Sequence, residues 1–187
     1  MSAILELPEA RPLVAHLSVE NFHRSGELGI YGKRAELIRG IVFEKPLRTP
    51  LHCKLSKRLY DSLMNLALPH LVVFHQSPLT LRDSEPLPDV SVVAGRDSDF
   101  DTRHPSTAEL VIEVAVSGVT LDRENAALFA EAGVEEYWIV LGAKQQVEVY
   151  RQPEAGEYRE RLIYAGEDHL ECGSIPAIRL SLPTLFA

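Results

Sequence analysis

The chain has 187 residues, of which 27 are acidic and 19 are basic, so its formal net charge at pH 7 is −8. With 45% hydrophobic and 25% charged residues, the composition excludes disordered, collagen-like and disulfide-scaffold proteins. The acidic balance counts against non-specific coating of nucleic acid, and no apolar run approaches the roughly 18 residues that span a bilayer. We expect one cytoplasmic domain, residues 1–187, with a short N-terminal extension and no membrane contact.

The first predicted elements are a helix and a hairpin. Ser18 is a typical N-cap for a short helix that ends before Gly26. Two apolar segments flank Arg39 and Gly40, which suit the turn of a β-hairpin. A longer helix follows, because Thr49 supplies an N-cap and Pro50 a first-turn proline. Its predicted apolar stripe consists of Leu51, Leu55, Leu59, Leu63 and Leu66.

The positive charge of the chain is concentrated around this helix. Residues 45–60 contain five Lys or Arg and no acid, so this segment carries +5 and the remainder −13. Lys54, Lys57 and Arg58 lie on a helix face about 140° from the leucines. Solvation and contact with phosphate are both open for these cations. His52 has the same two alternatives, a phosphate contact or a capping and surface role.

The middle of the chain is rich in strand-forming residues. Four apolar segments bounded by Pro, Gly or Asp predict strands, namely LVVFHQ (71–76), PLTLR (78–82), PDVSVVAG (88–95) and ELVIEVAV (109–116). The last two are the candidates for the centre of the sheet. The polar segment between them, residues 95–107, predicts an exposed connection.

A strand–helix–strand unit follows. Asp122 opens a predicted helix that ends at Gly133, and EYWIVL (136–141) returns as a strand, so residues 109–141 form one βαβ crossover. Segments 146–151 and 157–164 predict a hairpin with its turn at residues 153–156. The fold class is therefore α/β, with a mixed central sheet flanked by helices.

Two carboxylates stand where aliphatic residues are expected. Asp89 is the second residue of one predicted central strand, and Glu113 lies in the middle of the other. Strand alternation allows the two side chains to meet across neighbouring strands, where a shared proton or a divalent cation would remove their repulsion. Oxygen ligands favour Mg²⁺ or Mn²⁺. Alternatively, each carboxylate is solvated or pairs with an arginine such as Arg96 or Arg103.

The order of the motifs resembles the Uma restriction endonuclease family, a branch of the PD-(D/E)XK nuclease superfamily. The similarity covers residues 18–186 and is carried by AELIRGIVFEKP, TPLHCKL, LPDVSVVAG, ELVIEVAVSGVT, DRENAALFAEAGVEEYWIV and VEVYR. It implies a restriction-endonuclease-like core. Tyr137 and Trp138 belong to the family's EYW signature, which packing explains more simply than base stacking.

The resemblance also implies site residues. The family's Pro-Asp falls on Pro88 and Asp89, its strand glutamate on Glu113 and its N-terminal acid on Glu36. In such nucleases the aspartate, the glutamate and the carbonyl of the following residue, here Val114, bind Mg²⁺, which helps water attack a phosphodiester. Glu36 is expected to hold a second metal or the metal-bound water.

The chain departs from the family at the lysine. Superfamily members commonly carry Lys two residues after the glutamate, where this chain has Ala115; relatives place it on the following helix, where the match is Asn125. Neither residue is cationic, and loss of such a group commonly costs about 10²- to 10⁴-fold in rate. Arg123 is the nearest cation, but positions i and i+2 point to different sides of a helix. The loop after the strand, residues 117–120, also differs from the family's Ser-Pro-Ser-Thr.

Two functions follow as expectations. The first is a Mg²⁺-dependent DNA endonuclease with Glu36, Asp89, Glu113 and Asn125 as site residues, working as a homodimer or higher homo-oligomer. The second is a catalytically weakened protein that keeps the fold for DNA binding or assembly. The residues expected to contact DNA are Lys45, Arg48, His52, Lys54, Lys57 and Arg58.

Overall fold

The computed structural model of the protein describes residues 13–116 and 118–187. Most of the predicted N-terminal extension and Ser117 of the loop that departs from the family therefore lie outside the described residues. Contacts divide the chain into two units: the described residues up to Lys45 with Arg82–Glu85, and Pro46–Leu81 with Pro86–Ala187. The single domain 1–187 stays a prediction.

The first unit begins with the predicted helix. Helix α1 covers Val19–Glu27, and the Ser18 hydroxyl accepts a hydrogen bond from the Asn21 N–H at 3.2 Å. The N-cap prediction is confirmed, because this bond satisfies a backbone donor that has no partner within the helix. The predicted end, just before Gly26, is two residues too early, because α1 continues to Glu27.

The predicted hairpin is also present in the first unit. Strands β1 (Ala35–Ile38) and β2 (Ile41–Glu44) pair antiparallel, with Ile38 opposite Ile41. The two turn residues, Arg39 and Gly40, have φ values of +52° and +76°. Positive φ at both central residues matches the right-handed twist of the flanking strands, which explains the turn.

The second unit is built on a six-stranded mixed sheet with the order β3-β4-β5-β6-β7-β8. Strands β5 and β6 are parallel, and every other neighbouring pair is antiparallel. The predicted central strands are thus β4 and β5, and the predicted α/β fold class is confirmed. The strands are β3 (Leu71–His75), β4 (Val90–Ala94), β5 (Leu110–Ala115), β6 (Glu136–Leu141), β7 (Gln146–Glu154) and β8 (Glu157–Ala165).

Helices flank this sheet on both faces. Helix α2 (Pro50–Met64) packs against β3, β4 and β5, and helix α3 (Thr120–Glu131) connects β5 to β6 and packs against β6, β7 and β8. The predicted crossover is therefore confirmed. Helix α3 starts two residues before Asp122 and ends shortly before Gly133, whose φ is +71°.

The C-terminal part adds elements that the sequence did not predict. They are the two-stranded sheet of β9 (His169–Glu171) and β10 (Arg179–Ser181) and the short helix α4 (Leu182–Phe186). The connection between β4 and β5 contains a 3₁₀-helix, Asp97–Phe100. No helix within the described ranges combines the length and apolarity needed to cross a bilayer.

The predicted strand at residues 78–82 is wrong. Leu79 and Leu81 are buried, but the Leu79 N–H bonds to the Pro86 carbonyl and the Thr80 N–H to the Pro105 carbonyl. Successive backbone donors therefore go to two different segments instead of one strand partner, so the segment is irregular although its side chains are in the core.

The main core lies between α2 and the sheet. The Thr49 hydroxyl accepts the His52 N–H at 3.2 Å and caps α2, as predicted. Leu55, Leu59 and Leu63 are at most 1% exposed, whereas Leu51 and Leu66 are 37% and 38% exposed. The predicted leucine stripe is thus right for its centre and wrong for its two ends.

This difference predicts unequal stability effects along one stripe. Leu59→Ala should lower the free energy of unfolding by about 2 to 5 kcal/mol, because it leaves a cavity in the core. Leu66→Ala should change it by less than about 0.5 kcal/mol. Urea denaturation followed by circular dichroism measures both; equal losses would contradict the packing described here.

Candidate active site

The register of β4 and β5 brings the two predicted acids to neighbouring positions. Val90 lies opposite Ile112 and Ser91 opposite Val111. Extending this register by one residue beyond Val90 places Asp89 opposite Glu113. Asp89 and Glu113 are only 2% and 4% exposed. Asp89 was predicted as the second residue of this strand, but it lies directly before β4, one residue outside the observed strand.

Asp89 is fixed by three groups. Its Oδ2 accepts a hydrogen bond from the Val114 N–H at 2.9 Å and lies 3.0 Å from His52 Nε2. The Arg48 Nε lies 3.9 Å from Oδ1. A buried carboxylate is stable only when it is paired and hydrogen-bonded, and these contacts supply both conditions. Arg96, an alternative partner in the sequence analysis, pairs instead with Asp99 at 3.4 Å.

Gln76 joins this cluster, although the sequence analysis did not select it. The Arg48 guanidinium donates to Gln76 Oε1 at 2.8 Å, and the Gln76 N–H donates to the Asp89 carbonyl at 3.0 Å. Gln76 has a φ of +54° and lies directly after β3. No sequence pattern pointed to it, since its contacts join segments that are distant along the chain.

Glu113 lies in the middle of β5, with Ile139 of β6 opposite it on the parallel side. Tyr137 is fully buried on β6, and burial together with the charge of Glu113 raises its pKa well above the ordinary value. The Tyr137 hydroxyl donates to the Asp122 carbonyl at 3.0 Å. The Tyr137 side chain beside Glu113 is therefore closed to solvent.

Asn125 and Ala115 occupy the two positions where relatives have the lysine. Asn125 is 5% exposed on α3, and Ala115 is 7% exposed at the end of β5. Because α3 packs on the sheet, its buried side, which includes Asn125, faces the sheet. Neither position supplies a positive charge.

The predicted N-terminal acid, Glu36, belongs to the first unit. It is 1% exposed on β1, and its Oε2 lies 3.3 Å from Lys45 Nζ. Glu36 was predicted as an acid of the site and Lys45 as a DNA contact, and the two form an ion pair. The role of Glu36 beside Asp89 and Glu113 stays a prediction.

Several predicted DNA contacts on α2 bind groups of the protein itself. Lys54 Nζ donates to the Ala187 carbonyl at 2.8 Å, and Arg58 donates to the carbonyls of Leu185 and Ala187. Lys57 pairs with Asp61 one helical turn away, and its side chain is 70% exposed. Arg48 and His52, two of the six predicted contacts, lie against Asp89.

Another buried acid, Glu148 on β7, was missed by the sequence analysis. Arg123 Nε donates to its Oε2 at 3.1 Å, the Tyr150 hydroxyl donates at 3.0 Å, and an Arg161 nitrogen lies 2.9 Å away. Burial raises the pKa of Glu148, but these hydrogen bonds and charges outweigh it and hold the pKa below the ordinary value. Glu148 carried the same signal as Glu113, an acid within an apolar strand.

The EYW segment has a structural role. Tyr137 and Trp138 are fully buried, so they cannot stack on bases. Glu136 accepts hydrogen bonds from Trp138 Nε1 at 2.6 Å, Arg151 Nε at 3.0 Å and the Gly173 N–H at 2.7 Å. This carboxylate therefore ties β6 to β7 and to the segment after β9.

The donor chemistry of the acid pair fits a hard cation. Asp89 and Glu113 offer carboxylate oxygens from opposite positions, which suits Mg²⁺ or Mn²⁺. Across the described parts of the chain, no cluster of three or more His, Cys, Asp or Glu side chains could hold a metal ion. The predicted metal ligands include only two such side chains, Asp89 and Glu113, and their third member is the backbone carbonyl of Val114.

The six-stranded mixed sheet, its flanking helices and the single crossover agree with the predicted restriction-endonuclease-like fold. Residues 21–183 match the Uma2 family, described as "Putative restriction endonuclease", and the chain belongs to this family. It also resembles the crystal structure of a "putative nuclease belonging to DUF820" from Anabaena variabilis, with a TM-score of 0.76 and 19% identity. That match covers 91% of this chain and 97% of the other, and it shows the fold. No curated protein matches.

His75 offers a way to detect the charge of Asp89. It ends β3 opposite Val90, its Nε2 lies 2.9 Å from Ser56 Oγ, and its ring stacks on Tyr60 at 4.9 Å. Burial lowers the pKa of His75 below 6.5, while the negative charge of Asp89 acts in the opposite direction.

We therefore expect the His75 imidazole to titrate below pH 6.5 in an NMR titration. Asp89→Asn should lower this pKa further, because it removes a charge that favours the imidazolium form. Glu154→Gln, on the exposed end of β7, should leave it unchanged. An unchanged His75 pKa in Asp89→Asn would show that Asp89 places no negative charge beside it.

Proposed function

We propose that the protein is a Mg²⁺-dependent endonuclease that hydrolyses phosphodiester bonds of DNA, with Mn²⁺ as an alternative metal. The observation that carries this proposal is the register that sets Asp89 opposite Glu113, with the Val114 N–H bound to Asp89. Membership of the Uma2 family supports it.

Asp89, Glu113 and the Val114 carbonyl would hold the metal. When bound, Mg²⁺ would offset negative charge that develops on the phosphate oxygens. The protein positions the Asp89 carboxylate through the Val114 N–H and His52, which limits its rotation. Glu36 is proposed as an assisting acid.

Positive groups beside the acids are needed for a phosphate to approach. Two like charges about 4 Å apart repel by roughly 4 kcal/mol at an effective dielectric of 20. Arg48 and His52, whose side chains are 21% and 16% exposed, place positive charge or hydrogen-bond donors at Asp89. We propose that these two residues contact the DNA backbone, while Lys45, Lys54, Lys57 and Arg58 remain predicted contacts.

A second candidate function is favoured by the missing lysine. Ala115 and Asn125 carry no charge, so neither can stabilise hydroxide or the transition state as a lysine would. In this alternative the protein binds DNA or assembles with partners and cleaves slowly or not at all. Cleavage of both strands needs two active sites, so the enzyme proposal includes a homodimer or higher homo-oligomer.

Plasmid nicking in Mg²⁺ or Mn²⁺ tests the enzyme proposal. The wild-type protein should nick supercoiled DNA, and Asp89→Ala and Glu113→Ala should each abolish the activity because each removes a metal ligand. Asp61→Ala, an exposed acid on α2, is the matched control and should remain active. Nicking that persists equally in both site variants would refute the mechanism. Mg²⁺ binding in calorimetry without cleavage would favour the second candidate.

Asn125→Lys tests the missing charge directly. If the buried side of α3 faces the site, the new ammonium should raise the nicking rate by about 10²- to 10⁴-fold, the usual contribution of such a group. Ala127→Lys, at an exposed position two residues along the same helix, adds the same charge and should leave the rate nearly unchanged. Equal rates in both variants would refute this role for position 125.

A further inference from the structure

Two arginines share one buried carboxylate on the α3 side of the sheet. Glu148 is 2% exposed, whereas the side chains of Arg123 and Arg161 are 38% and 46% exposed. Arg123 binds Glu148 through Nε and a terminal nitrogen, and Arg161 through one terminal nitrogen. The cluster therefore has a net charge of +1 and presents its cations, not its acid, to solvent.

This cluster lies on the same face and at the same level of the sheet as the acid pair. Glu113 is opposite Ile139 on β6, and Ile139 is opposite Glu148 on β7. Residues opposite one another share a face, so Glu148 stands two strand spacings from Glu113, about 10 Å. Arg123 and Arg161, which bind Glu148, thus lie on the same side of the sheet as Glu113.

The guanidinium groups keep donors for another ligand. Each guanidinium has five N–H donors, and Glu148 occupies two from Arg123 and one from Arg161. The Tyr150 ring lies 5.6 Å from the Arg161 guanidinium carbon, and the Tyr150 hydroxyl binds Glu148. Both arginines are therefore held in place before a ligand binds, which reduces the entropy cost of binding.

We propose that Arg123 and Arg161 form a binding site for a backbone phosphate of DNA, next to the phosphate that is cleaved at Asp89 and Glu113. This inference rests on the proposed function. Paired, planar guanidinium groups match the oxygens of a phosphate. On α2, by contrast, Lys54 and Arg58 already bind carbonyl groups of the protein itself.

The test measures DNA binding without cleavage. A Glu113→Gln parent in EDTA cannot turn over, and fluorescence anisotropy with a duplex oligonucleotide gives its affinity over a range of KCl concentrations. Adding Arg123→Ala or Arg161→Ala to this parent should weaken binding by roughly tenfold, the effect of one charge-assisted hydrogen bond. Each should also lower the slope of log affinity against log salt by about 0.9, the value for one lost phosphate contact.

Glu148→Gln separates phosphate binding from a purely structural role. It removes the charge that offsets the arginines but keeps a side-chain oxygen that can accept their hydrogen bonds. It should therefore tighten binding and steepen the salt dependence, even if thermal unfolding shows lower stability. Arg179→Ala and Glu171→Gln alter an exposed Arg–Glu pair on β10 and β9 and serve as charge-matched controls. They should leave both quantities nearly unchanged.

The outcomes distinguish the two proposals. Unchanged affinity and slope in the arginine variants, with a parent that binds DNA, would overturn the phosphate site and leave the nuclease proposal standing. Weaker binding in Glu148→Gln would also overturn it, because a structural role alone predicts that direction. A parent that binds no DNA, together with a wild-type protein that does not nick plasmid, would overturn the proposed function itself. If Arg123→Ala fails to fold, Arg161→Ala on the edge strand decides the result.

Discussion

The antiparallel register between β4 and β5 is the constraint on which the candidate site depends. It fixes Asp89 opposite Glu113, and a slip of one residue would turn one of the two acids to the other face. The register is held by apolar residues on the α2 face, such as Val90, Val92 and Ile112, which are fully buried. The hydrophobic core that aligns the two strands thus also sets the relative position of the two acids.

Three buried acids of the second unit have partners that offset the cost of burying a charge. Asp89, Glu136 and Glu148 each have an arginine nearby and at least one further hydrogen-bond donor. Breaking such a pair would leave an uncompensated charge in the protein interior, which is strongly destabilising. These acids therefore hold the surrounding side chains in fixed positions. The arginines that pair with Asp89 and Glu148 in the free protein are the same groups that we propose for contacts with phosphate.

Much of the fold could be predicted because its signals are local. Thr49 caps a helix, Arg39 and Gly40 form a two-residue turn, and the alternation of apolar segments between 109 and 141 defined the crossover. The segment at 78–82 misled because burial of leucines does not require a strand. The acids at 89 and 113 were visible as charges within apolar strands, but their partners were not, since contacts such as Arg48 with Gln76 join residues that only the folded chain brings together.

The chain contains a single tryptophan, and Trp138 is fully buried in the core of the second unit with its indole N–H bound to Glu136. Its fluorescence emission therefore reports the solvent exposure of that core. The first unit has no tryptophan in its described residues, so intrinsic fluorescence excited at the indole band would follow unfolding of the sheet while α1 and its hairpin contribute no indole signal. A second spectroscopic probe is needed to learn whether the two units lose their structure together.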